Sequence, residues 1–124
     1  MEKRIPEDLA RRTRRFALAV IRLYGALPRS AISYVLGRQL LKSGTSVGAH
    51  YREARHAKPN ADFVSKIEGA LQELDETGYW LELLRDAYVA KAGAAEKLLA
   101  ESEELIAIFV SVVRRAKESA SRPI

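Results

Sequence analysis

The stretch KSGTSVGAHYREAR, residues 42–55, and the stretch KIEGALQELDETGYWLELL, residues 66–84, decide how this chain folds. The first is odd for a helix. Ser43, Gly44, Thr45, Ser46, Gly48 and Ala49 are all small, and each Gly costs about 1 kcal/mol against Ala in a helix interior. A loop here would leave two short helices. Against that, small or apolar residues recur at helical spacing on both sides: Ile32, Leu36, Gln39, Leu40, Ser43, Val47, His50, Tyr51 and Ala54. No proline interrupts the run. We read one long helix whose small side chains let another helix come unusually close.

The second stretch supplies the partner. With a turn at Lys58-Pro59-Asn60, residues equidistant from the Lys58–Pro59 bond lie level. Gly48 then faces Gly69, Ser46 faces Leu71, Ser43 faces Leu74 and Gln39 faces Gly78. Bulky side chains hold helix axes about 8–10 Å apart, so two glycines at one level suit a tight crossing. Gly44, Gly48 and Gly69 are the packing candidates. The competing explanation is a chance alignment of two among 7 glycines.

The same residues carry a resemblance. A small-residue SGTSVGAxYxEA run, a short turn, Asp62-Phe63, then K-I-x-x-A-x-x-E-x-x-E-T-x-Y-W-L resembles the bacterial four-helix-bundle protein family. Some of its members are encoded in intervening sequences of large-subunit ribosomal RNA genes. The match is specific over residues 43–84 and looser over residues 9–117. It implies an all-α, antiparallel up-down four-helix bundle that assembles as a ring-like homo-oligomer, a pentamer. A distant relative in the fold group, the accessory protein of diversity-generating retroelements, binds a reverse transcriptase and nucleic acid. His50 departs from the pattern, since the family generally has Asn there, and no role is carried over to it.

The chain has 124 residues and 48% apolar composition, enough for one domain with a continuous core. It has no cysteine, which excludes disulfides and thiol-ligated metal sites and suits a cytoplasmic location. No apolar run approaches the ~20 residues of a membrane span. The opening MEKRIPEDLARRTRR fits neither a secretory signal nor a mitochondrial presequence. Charge is split: residues 1–58 hold 13 Lys+Arg and 4 Asp+Glu, net +9, and residues 59–124 hold 8 and 12, net −4. The basic half can face an acidic neighbour or nucleic acid.

Four helices are expected, at about residues 6–26, 30–57, 60–90 and 94–117. In the first, Pro6, Glu7 and Asp8 suit the opening turn, and Leu9, Thr13, Phe16, Val20, Leu23 and Leu27 form a core stripe. Arg11, Arg12, Arg14 and Arg15 surround the rest of its circumference, so they cannot all pair within one chain. Arg22 continues the patch, and Lys3 and Arg4 extend it. Arg52 and Arg55 suit the end of the second helix dipole, and Gln39, Ser43 and Ser46 lie toward its core stripe. Asn60 is the expected cap of the third helix, whose stripe is Phe63, Ile67, Leu71, Leu74, Gly78, Leu81 and Tyr88. Glu73, Glu76 and Trp80 make a second stripe, which, given the oligomer implied by resemblance, is the candidate subunit interface. Ala92-Gly93 closes that helix. Leu99, Ile106, Val110 and Val113 widen the stripe of the fourth beyond one core's needs, and residues 119–124 read as a frayed tail.

Catalysis finds little support. A di-metal carboxylate bundle needs Glu-x-x-His on two helices, whereas His50-x-x-Glu53 has the reverse order and occurs once. The two histidines share one helix with no orienting acid on another, and no phosphate-cradling Gly loop precedes a Lys-Ser or Lys-Thr pair. The expectation is a non-enzyme with no cofactor, metal, membrane or small-molecule substrate. Clustered arginines favour phosphates through counterion release, so Arg11, Arg12, Arg14, Arg15 and Arg22 are the nucleic-acid-binding candidates. No aromatic residue interleaves with them as a stacking platform, which points to RNA or DNA bound without sequence specificity. The alternative is a purely protein-binding oligomeric scaffold, in which these arginines pair with acidic helices of sister chains.

Overall fold

The computed structural model describes residues 5–121 and holds four α-helices, with no strand among the described residues. They are α1 (Ile5–Gly25), α2 (Ala31–Arg55), α3 (Ala61–Asp86) and α4 (Ala92–Ser121). Lys3, Arg4 and residues 122–124 lie outside the described residues, as do the side chains of Pro6, Glu7 and Asp8. Each helix packs on its neighbours in sequence. α1 and α4 meet only sparingly, so the bundle is loosely closed on that side.

Local chemistry explains the boundaries. Ser30 is extended (φ −164°) and its hydroxyl accepts the Ser33 N–H at 3.0 Å, which satisfies an orphan donor at the start of α2. The expected stripes then meet in one core. Leu9, Phe16, Val20 and Leu23 of α1 join Leu40, Val47 and Tyr51 of α2, Ile67, Leu74 and Leu81 of α3, and Leu105 and Phe109 of α4. Thr13, Ser43 and Ser102 are buried among them. Their hydroxyls donate to carbonyls within a turn back: Leu9 at 2.7 Å, Gln39 at 3.1 Å and Leu99 at 2.8 Å. Such bonds remove the cost of burying a hydroxyl without recruiting a ligand.

The small-residue run is one continuous helix, but its glycines serve another neighbour than expected. A Cβ at Gly44 would lie 2.8 Å from a methyl of Val20, and one at Gly48 would lie 3.2 Å from the Thr13 hydroxyl. A Cβ at Gly37 would lie 2.6 Å from the Tyr24 ring. All three are neighbours on α1. Gly48 therefore does not face Gly69, whose own missing Cβ leaves room for the His50 imidazole, 2.8 Å from where it would stand. Ser43 meets Thr77, whose hydroxyl donates to it at 3.0 Å, rather than Leu74. Gln39 is exposed and not turned to the core, and Ser46 is half-buried, donating to the Lys42 carbonyl at 2.7 Å. The contacts of Ser43 with Thr77 and of His50 with Gly69 centre near Asn60 rather than on the Lys58–Pro59 bond. The reversal falls where Asn60 takes a positive φ of 67°.

Three further expectations fail locally. Asn60 makes no side-chain cap bond; the Asp62 carboxylate instead accepts the Lys58 N–H at 3.2 Å. α3 stops at Asp86, so Tyr88 lies beyond its stripe and is 94% exposed rather than core. Gly93 is inside α4, which starts at Ala92 and runs to Ser121, through the start of the expected tail. Leu99 and Ile106 pack against the core and Val113 is buried within it, whereas Val110 is exposed.

Candidate nucleic-acid interface

α1 is amphipathic because its apolar residues fall three and four apart, leaving Arg11, Arg12, Arg14, Arg15 and Arg22 on the remaining circumference. The structure separates them. Arg12 turns to α4 and grips Glu101 with two bonds, Nε to Oε2 at 3.1 Å and a terminal nitrogen to Oε1 at 2.8 Å. The same nitrogen donates to Glu104 at 2.9 Å. Donation to the Glu101 carboxylate, and more weakly to that of Glu104, raises the Arg12 pKa above the usual arginine value, against a lowering by burial. Arg12 is thereby committed within the chain.

Arg11, Arg14, Arg15 and Arg22 are exposed. No carboxylate among the described residues pairs with any of them. Arg11, Arg15 and Arg22 line the seam between α1 and α4, a groove of about 920 Å³ with Phe16, Ala19, Leu23 and Leu98 in it and Lys97 opposite. Arg14 lines the other flank of α1, a furrow of about 840 Å³ shared with Arg52, Arg55 and Lys66. The small residues Ala17, Gly48 and Ala49 line that furrow too. The cations thus fall on both sides of α1, and the second furrow is mixed in charge, since Glu53 and Asp62 line it and Lys66 pairs with Glu53 at 3.7 Å. Sequence reasoning missed Lys97 and assigned Arg52 and Arg55 only to the helix end, because cross-helix neighbours leave no mark in a single helix's spacing.

The expected interface stripe has a mixed character. Glu73 Oε2 already sits 3.5 Å from His50 Nε2 on α2, whereas Glu76 is exposed. Trp80 is half-buried and lies edge-on to Tyr79, ring centres 5.0 Å apart. Its Nε1–H is buried without a hydrogen-bond partner, as is His50 Nδ1. No group of three or more His, Cys, Asp or Glu able to hold a metal occurs among the described residues, and none of their helices is long and apolar enough to cross a membrane.

These features define an all-α four-helix bundle with exposed cations along its first helix. The chain belongs to the 23S rRNA-intervening sequence protein family, whose model matches residues 8–111. It is also similar to a solved protein of unknown function from the S23 ribosomal protein family of Bacteroides thetaiotaomicron VPI-5482. That likeness has 35% identity and a TM-score of 0.80, covering 89% of this chain and 98% of the other. No curated protein matches the chain.

Proposed function

We propose that the protein is a non-enzymatic, homo-oligomeric adaptor that binds nucleic acid, or a nucleoprotein partner, through the basic face of α1. One observation carries the reading: Arg11, Arg14, Arg15 and Arg22 stand exposed on one helix without a carboxylate partner among the described residues, while Arg12 between them is consumed by α4. Exposed guanidiniums bind phosphates and release counterions, a gain that needs no base reading. Phe16, the aromatic that lies between these arginines, is only 2% exposed and offers no stacking platform, so RNA and DNA are bound by backbone charge. In this reading the bundle is antiparallel up-down and assembles as a cytoplasmic ring, five-membered as the resemblance implies. Glu76, Tyr79 and Trp80 lie toward a sister chain.

Filter binding of single- and double-stranded RNA and DNA across a salt series tests the nucleic-acid half. Light scattering tests the oligomer, which should have five times the mass of the chain. The second reading, a purely protein-binding scaffold, draws on Arg12, which demonstrates that carboxylates of this chain can absorb an α1 arginine. It predicts that replacing Arg11, Arg14, Arg15 and Arg22 by Ala disperses the oligomer, where the adaptor reading predicts an intact oligomer that no longer binds nucleic acid.

A further inference from the structure

α1 and α4 are the one pair of adjoining helices whose backbones hardly meet. Ala19 on α1, Ala26 in the turn after it and Ala94 on α4 are too small to fill the space, so the seam stays open. On the other side of the Arg12 bridge, which crosses from α1 to Glu101 and Glu104 of α4, lies a second, separate hollow of about 340 Å³, lined by Leu9, Ile108, Val112 and Arg115. From Leu9 to Leu23 the seam runs about 21 Å at 1.5 Å per residue, about four turns of a guest helix. Leu9, Arg12, Phe16, Ala19 and Leu23 follow one another at three, four, three and four, the repeat of a helix seam.

We propose that the α1–α4 seam is a docking groove for an acidic amphipathic helix of a partner protein. The rim makes the charge assignment. Arg11, Arg15, Arg22, Lys97 and Arg115 are exposed cations along it, and the lining carboxylate Glu101 is held by Arg12. A nucleic-acid strand would satisfy the cations and leave the apolar floor wet, and a small amphiphile would fill one hollow and neglect the other. An elongated guest with an apolar stripe and acidic flanks fits both floor and rim, the helix-in-groove mode of recognition. On α3 and α4 the large exposed apolar side chains among the described residues are Tyr79 and Val110, and the partly buried Trp80, Leu99 and Ile106 lie beside Glu76 and Glu103, so a second copy of this chain is the rival occupant that the test must separate. The proposal shares Arg11, Arg15 and Arg22 with the nucleic-acid reading, so the two guests would compete for that rim; only Arg14, with Arg52 and Arg55, lies on the other flank of α1.

The test uses the whole chain and two fluorescent synthetic peptides of about 18 residues, long enough for five turns, both of Leu and Glu in one composition. In the first, Leu recurs at i, i+3, i+4 and i+7; in the second the order is shuffled. The striped peptide should bind at least tenfold tighter by anisotropy. Ala94→Trp, which fills the groove from an exposed position, should remove that preference with an unchanged thermal midpoint, and Lys97→Glu should weaken binding without touching the floor. RNA binding by Ala94→Trp should match the parent, so a failure of the nucleic-acid reading would appear as no RNA binding by either protein. Equal binding of both peptides, or no binding, overturns the proposal. So does dissociation of an oligomer by Ala94→Trp, which would seat a second copy in the groove, or loss of RNA binding in that variant, which would seat nucleic acid there.

Discussion

Tyr88 occupies the C′ position after α3. Its N–H donates to the Arg85 carbonyl at 3.1 Å and the Val89 N–H reaches back to Leu84 at 2.9 Å, the paired bonds of a Schellman ending. That ending needs a left-handed residue, and Tyr88 has φ 61°, where glycine has no Cβ penalty. Tyr88→Gly is therefore expected to stabilise the fold by about 1 kcal/mol, raising the thermal midpoint by about 4 °C; a lowered midpoint would show that the phenol makes contacts of its own. Tyr51, 4% exposed beside Phe109, makes the opposite case. Burial pushes its phenol pKa up, opposed by Arg55. A raised folded value means that the unfolded chain ionises first, so this contribution to stability is complete below about pH 10 and is lost as pH rises through the folded value. Denaturant titrations from pH 9 to 11 should show a shallower alkaline loss in Tyr51→Phe than in the parent. Position 88 was illegible in the sequence for a plain reason: it lies seven residues beyond Leu81, on the same stripe, and no glycine announces the stop.

At the scale of the element, α2 is the helix against which α1 and α3 both close. The existence of four helices and their stripes could be read from periodicity, because apolar spacing is a property of each helix alone. The partner of the glycines could not. Ser43, Gly44, Thr45 and Ser46 together cover the whole circumference, so composition leaves open which small residue faces which neighbour. In the structure Gly44 faces fully buried Val20 and Ser43 faces Thr77. A β-branched, buried Val20 has little room to yield. Gly44→Ala should cost up to about 2 kcal/mol, overpacking of ~1–3 kcal/mol set against a helix-propensity gain of ~1 kcal/mol. A double-mutant cycle with Val20→Ala should recover at least about 1 kcal/mol of coupling, whereas simple additivity would place the two side chains apart.

At the scale of the whole molecule, the division into a basic and an acidic half was visible in the sequence, and so was the impossibility of pairing every arginine of α1 internally. Which one would pair was hidden, since Glu101 and Glu104 lie 89 and 92 residues from Arg12. The open seam beside them was hidden too, because an absence of helix contact leaves no periodic trace. The most direct measurement is the salt dependence of duplex RNA binding by the parent and by the Arg11→Ala, Arg14→Ala, Arg15→Ala, Arg22→Ala quadruple variant. With each lost phosphate contact worth a log–log slope of about 0.9 in duplex DNA and somewhat less for a single strand, the variant should bind far more weakly at low salt, with a slope shallower by about 3. Equal affinity and an unchanged slope in parent and variant would contradict the account.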